Sequence, residues 1–298
     1  MKQYDTFCRC HPAVSFIYFA FVIGFTVTFR HPVCQTASLV SAALYAAECE
    51  GRSGALFSLK YALPVILLTA IINPAFNHEG VTVLCYLPLG NPLTAESIFY
   101  GISSGVMFAS VLLWFLNFNR VFTTDKTVYL FGRILPSLSL LISMTVRFVP
   151  RFRKQLDDVR ESQKGFGVDT ENGSPLTRMK NALRVFSVVV TWSLENSVET
   201  ADSMKSRGFG LRGRTSFSVF TFTRRDRELL FIIAFLGLLV LCGAVSGAVY
   251  FRFYPSVRIS AFSPINVIIQ ASYFLLCLVP VIMNRKERAE WNAVHSKM

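Results

Sequence analysis

Two tetrapeptides hold the residues best suited to binding chemistry. Lys164-Gly165-Phe166-Gly167 and Arg207-Gly208-Phe209-Gly210 each place a cation before Gly-Phe-Gly, 43 residues apart. A guanidinium binds a carboxylate bidentately, and a protruding Phe fills an apolar pocket, so each tetrapeptide suits insertion into an acidic groove. One copy alone reads as helix capping, because cations favour helix C-termini by about 0.3–1 kcal/mol. Two matched copies point to a partner with two matched sites. The candidate contacts are Lys164, Gly165 and Phe166 at the first end, and Ser206, Arg207, Gly208 and Phe209 at the second.

Other chemistry finds little support. Cys8-x-Cys10-His11 has the look of half a metal site, but no second half follows, and ordinary thiols are the expected reading. The seven cysteines are scattered and odd in number, which implies no disulfide framework. His11, His31, His78 and His295 fall in loops or tails without ligand spacing. Gly208 to Thr215 approaches a phosphate-binding loop, but Arg214 stands where Lys belongs and a helix precedes it instead of a strand. Catalytic residues, cofactor and metal are all expected to be absent, and any ATP energy is expected from another subunit.

The elements that position the tetrapeptides belong to a membrane protein. The chain has 298 residues, 52% hydrophobic and only 16% charged, against about 25% charged in soluble domains. Candidate spans are 13–29, 33–47, 59–73, 98–118, 128–149, 229–250 and 264–283. The first is long for a signal peptide and lacks a clear cleavage site, so it is expected to be retained. Segments 33–47 and 59–73 are short, and 128–149 contains Arg133 and Pro136, so its first turns are expected at the interface. Five spans, 13–29, 33–47, 98–118, 229–250 and 264–283, hold no Asp, Glu, Lys, Arg or His. Ion-coupled transporters and intramembrane hydrolases need ionisable groups at that depth, so both classes are disfavoured.

The net charge of +12 does not imply nucleic acid. Of the 30 Lys and Arg, 16 fall between Arg147 and Arg227 against nine acids. The positive-inside rule places that stretch, and the Arg285-Lys286-Glu287-Arg288 tail, in the cytoplasm. Upstream the rule conflicts with itself. The 74–97 loop has no Lys or Arg and belongs outside, yet counting back from the hub through 128–149 and 98–118 puts it inside. One of the short segments, 33–47 or 59–73, is therefore expected not to be a full crossing. The fold class is all-α: a polytopic helical bundle with a cytoplasmic coupling-helix hub. The divisions are N-terminal membrane helices 1–149, the hub 150–227, and C-terminal membrane helices with a tail, 228–298.

Within the hub, Arg147-Phe-Val-Pro150 is read as the end of a membrane segment, with Pro150 in the first turn of a helix over 151–165 and Gly165 as its stop. After a linker at 168–174, Ser174-Pro175 opens a helix over 175–207. Its apolar middle, 182–194, includes Phe186 and Trp192 and is too short to cross a bilayer of about 30 Å. It is expected to lie against the membrane or under other helices. Gly101-x-x-x-Gly105 and Gly243-x-x-x-Gly247 let helix backbones approach closely, either inside the bundle or at a docking face.

At these residues the chain resembles the transmembrane T component of energy-coupling factor (ECF) transporters. Asn73-Pro-Ala-Phe-Asn-His-Glu-Gly80 is similar to the family's Asn-Pro-Leu-Phe-x-His-x-Gly loop, and Phe122-Thr-Thr-Asp125 to its Phe-Thr-x-Thr segment. Arg147-Phe-Val-Pro150 is similar to Arg-Phe-Ile-Pro, and Ser203-Met-Lys-Ser-Arg-Gly-Phe209 to Ala-Met-x-x-Arg-Gly-Phe. The first signature departs: the family has Ala-Arg-Gly where this chain has Gln163-Lys164-Gly165. Lys keeps the charge but loses the bidentate fork. The resemblance implies a prokaryotic plasma-membrane subunit with two cytoplasmic ABC ATPase partners, gripped through Lys164 and Arg207. It also implies a substrate-binding membrane subunit, expected to touch 182–194. Vitamins and transition-metal ions are the family's cargo. A conventional permease with its own substrate path, and a scaffold without a transport role, remain the alternatives.

Overall fold

The computed structural model describes residues 6–86, 92–134, 136–168, 172–211, 220–247, 249–254, 258–259 and 263–295. They form two units by contact: Met1–Thr124 with Phe220–Met298, and Asp125–Val219. The first holds helices α1 (Pro12–Thr28), α2 (Pro32–Glu50), α3 (Arg52–Phe76), α4 (Ala95–Val121), α8 (Arg224–Val245) and α9 (Pro264–His295). It also holds two short antiparallel hairpins, β1 (Val83–Tyr86) with β2 (Pro92–Thr94), and β3 (Phe251–Arg252) with β4 (Arg258–Ile259). The second holds α5 (Thr124–Ile134, its first residue on the boundary), α6 (Pro136–Gly165) and α7 (Pro175–Ser206). The protein is an all-α membrane helical bundle. Four helices are long and apolar enough to cross a membrane, Ser53–Phe76, Ala95–Val121, Arg224–Val245 and Pro264–Val294, and Pro12–Thr28 is a shorter apolar helix.

Local chemistry starts these helices. His11 and His31 each precede a first-turn Pro, and each ring Nδ1 accepts the N–H two residues on, from Ala13 and Val33. These two histidines, read as loop residues, are thus helix caps. Thr223 and Asp226 form a reciprocal capping box on α8, and the Asp226 carboxylate also accepts the His11 N–H at 3.0 Å.

The core between α1, α2, α4, α8 and α9 is aromatic and aliphatic, with Tyr18, Phe19, Tyr45, Trp114, Ile233, Tyr273 and Leu276 fully buried. A polar thread runs through it. The Thr26 hydroxyl lies 2.8 Å from that of Ser38 and 2.9 Å from Tyr273, and Trp114 Nε1 donates to Ser38 at 2.9 Å. In lipid such bonds join helices where apolar contact alone gives no preference over lipid tails.

Contacts at the two ends of this unit settle its topology. At one end meet the start of α1, the ends of α2 and α4, the start of α8 and the later turns of α9. Thr6 N–H donates to Asn284 at 3.1 Å, Arg120 pairs with Glu50 at 2.9 Å, and Arg285 and Arg288 both pair with Glu48. At the other end Asn77 donates to Tyr254 at 3.0 Å, and Tyr100 stacks edge-on with Phe253. The six helices therefore alternate in direction. The chain leaves for residues 125–219 and returns from them at the same end, so the 77–94 loop lies at the opposite end. The charge conflict disappears because the chain makes no net crossing between Thr124 and Phe220. The short segments 33–47 and 59–73, one of which is expected to be a partial crossing, instead lie within α2 and α3, which both run from end to end of the unit. A membrane-impermeant maleimide is expected to label exposed Cys85 from outside intact cells. Labelling only after permeabilisation would invert the orientation.

Pro150 is also placed differently from expectation. It sits inside the continuous helix α6, not at a helix start. A proline removes one backbone donor but does not always end a helix that packing holds on both sides. Here Phe152 and Leu156 pack against a cluster of Val159 with Val185 and Val189 of α7. The contact units divide within the chain at 124/125 and 219/220, whereas the 1–149, 150–227 and 228–298 divisions concern membrane topology.

Candidate functional site

Helices α6 and α7 form an antiparallel pair. Phe152 meets Trp192 edge-on with ring centroids 5.7 Å apart, and Val159 packs on Val185 and Val189. The Arg151 guanidinium stacks 5.5 Å from the Trp192 ring centroid. The apolar middle of α7 thus has two faces. Val185 and Val189 are buried on α6, while Leu183, Phe186, Val190 and Leu194 are exposed. Ser174 caps the start of α7 by accepting the Thr177 N–H, as its sequence implies.

The antiparallel arrangement sends the two Gly-Phe-Gly ends in opposite directions. At 1.5 Å per residue, Arg207 lies about 27 Å along α7 beyond Val189, and Lys164 about 8 Å along α6 beyond Val159. Both ends close with the same pair of backbone bonds. Val168 N–H donates to Gln163 O and Gly167 N–H to Lys164 O, both at 3.0 Å. Phe209 N–H donates to Met204 O at 3.0 Å and Gly208 N–H to Lys205 O at 2.9 Å. In each the left-handed residue is glycine at φ +78°, but it is Gly167 in the first and Gly208 in the second.

The repeats are therefore two residues out of register as helix ends. Gly165 does not stop α6; it is the last helical residue, and Gly167 takes the left-handed turn. Arg207 occupies the capping position of α7, next to Ser206. The matching position on α6 belongs to Phe166, which is 83% exposed, against 46% for Phe209. Lys164 lies further back, and its counterpart on α7 is Lys205. One end presents an arginine at its tip and the other a phenylalanine.

The Arg207 end also faces a groove of about 720 Å³ between α6 and α7. Arg147, Pro150 and Arg151 line it from α6, and Glu199, Ser203 and Arg207 from α7. The groove thus gathers three of the sequence candidates, Arg147, Pro150 and Arg207, away from Lys164. Arg151 was missed, although its four-residue spacing from Arg147 puts both on one helix face. Gly101 and Gly105 lie elsewhere, against α3. A Cβ at Gly101 would stand 3.0 Å from Thr69 O, and one at Gly105 2.9 Å from Ile66 Cα. The loop resembling a phosphate-binding sequence runs into 212–219, outside the described residues. Among the described residues no group of three His, Cys, Asp or Glu is placed to hold a metal.

No family model matches the chain. Among curated proteins, the energy-coupling factor transporter transmembrane protein EcfT of Brevibacillus brevis is 26% identical over 225 residues, 72% of this chain and 82% of that protein. The chain is similar to EcfT. EcfT 1 of Listeria monocytogenes is 26% identical over 170 residues, 52% of this chain and 62% of the relative. EcfT of Bacillus subtilis is 22% identical over 191 residues, 61% and 72% of the two chains. A match of 225 residues to EcfT is far longer than α6 and α7 together, so the similarity to EcfT includes membrane helices as well as the basic hub.

Proposed function

We propose that this chain is the transmembrane energy-coupling subunit of an ATP-driven ECF-type importer of vitamins or transition-metal ions in a prokaryotic plasma membrane. It is non-catalytic and links two cytoplasmic ABC ATPase subunits to a separate substrate-binding membrane subunit. The observation that carries this reading is the pair of exposed, glycine-closed helix ends on one rigid helix pair, in a chain similar to EcfT. The α7 end offers Arg207 to an acidic groove of one ATPase. The α6 end offers Phe166, with Lys164 behind it, to the other.

The mechanical logic follows from packing. A closed interior transmits displacement instead of absorbing it. ATP-driven closure of the ATPases moves the two ends, and the shared core of Val159, Val185, Val189 and Trp192 makes α6 and α7 move as a pair. The exposed apolar row of α7, with Phe186 at its centre, is where the substrate-binding subunit would rest. The charge-free spans fit a subunit that holds no substrate itself.

The test is the composition of the assembly purified through this chain from membranes that also contain the ATPases. Two ATPase chains and a third membrane protein are expected, with substrate held only when that third protein is present. Substrate binding by this chain and the ATPases alone would favour a conventional permease.

A further inference from the structure

The groove between α6 and α7 holds two cations that ATPase docking does not use, Arg147 and Arg151. Its walls bring together the guanidinium groups of Arg147, Arg151 and Arg207 against one carboxylate, Glu199. Arg147 and Arg207 form no ion pair among the described residues, and Arg151 is held on the Trp192 ring. Three cations against one carboxylate leave an excess of positive charge, and an anion in the groove would offset it. The lining also includes apolar Met144 and Phe148 from α6 and Met204 from α7. The same stretch of α6 exposes Leu141, Val146 and Val149. A basic groove bordered by exposed apolar side chains matches the boundary between headgroup and acyl chain at a membrane surface.

We infer that this groove binds the phosphate headgroup of an anionic phospholipid. Arg147 and Arg151 hold the phosphate oxygens, and Met144 and Phe148 support the glycerol end of the acyl chains. The inference is independent of ATPase binding, so it is tested on the full-length chain without any ATPase.

The chain is reconstituted in nanodiscs of equal phosphatidylglycerol and phosphatidylcholine. It is then released into mild detergent, and co-purifying lipid is weighed by native mass spectrometry. Three proteins are compared: wild type, Arg147→Gln with Arg151→Gln, and a charge-matched control, Lys180→Gln with Arg184→Gln, whose exposed cations lie outside the groove. Wild type and the control are expected to retain phosphatidylglycerol over phosphatidylcholine, with the preference reduced about tenfold in the groove variant. Brominated-chain phosphatidylglycerol should also quench wild-type fluorescence more than that of Trp192→Phe, a readout that needs no arginine variant to fold. Equal retention of the two lipids, equal loss in the control, or equal quenching with and without Trp192 would overturn the proposal. So would displacement of the lipid by millimolar glycerol 3-phosphate, which would mark a site for free phosphate.

Discussion

Arg207→Glu is expected to strip ATPase from the purified complex. Arg207 stands at the tip of α7, exposed, at the residue where helical geometry ends. From that position its fork reaches a partner's carboxylate without bending the helix. Truncating one member of a buried charge pair at an interface costs about 2–5 kcal/mol, and reversing it adds repulsion, so retention should fall at least about tenfold. Arg207→Lys should recover part of it, since charge returns but the fork does not. Lys164→Glu should do less, because Lys164 lies a half-turn behind the tip of α6. Phe166→Ala should weaken that end more than Lys164→Ala, as an exposed aromatic is the group placed to fill a pocket there. Equal ATPase retention by all these variants would reduce both motifs to helix capping.

Gly105→Leu is expected to break the membrane unit. Helices α3 and α4 touch through backbone at this point, with Ile66 Cα 2.9 Å and Ile66 O 3.2 Å from where a Cβ would sit. Backbone cannot step aside as the end of a flexible side chain can. Overpacking of that kind costs about 1–3 kcal/mol, and more when four-carbon bulk is added at a seam. Gly24→Leu is the matched control, because nothing lies within 4 Å of its Cβ position on α1. The measurement is the monodisperse fraction and thermal midpoint in detergent. Gly105→Leu should lose most of the former, and Gly24→Leu should behave as wild type. Matching behaviour would mean that the α3–α4 seam is looser than described.

Much of this arrangement is legible from residue order where the determinants are local. The start of α7 is written in Ser174-Pro175, a capping hydroxyl before a ring that needs no donor, and its end in Arg207-Gly208. The membrane helices follow from long apolar runs. What residue order misstates depends on distant contacts. Pro150 reads as a helix start because an apolar run ends there, yet α6 continues through it against α7. Segment 128–149 reads as a span by hydropathy, and only the contacts joining Thr6, His11, Arg120 and Asp226 to one end of the bundle show that no crossing is needed there. His11 and His31 read as loop residues, since a ring that caps a helix two residues on leaves no periodic signal. The two Gly-Phe-Gly motifs are identical as strings, but the glycine that closes the helix is the last of the three residues in the first and the first in the second, Gly167 against Gly208, and the string does not say which. The groove lining was half visible: Arg147 and Arg207 were singled out by motif, while Arg151 and Glu199 join them only through the antiparallel packing of α6 and α7.

The most direct measurement places a photo-crosslinking phenylalanine analogue at Phe166 in one protein and at Phe209 in another, in membranes that contain the ATPases. If this chain couples two ATPases through the ends of α6 and α7, each position captures one ATPase chain, and the two captures occur together in a single complex when both analogues are present. Capture of lipid alone, or of one ATPase surface from both positions, would contradict the account.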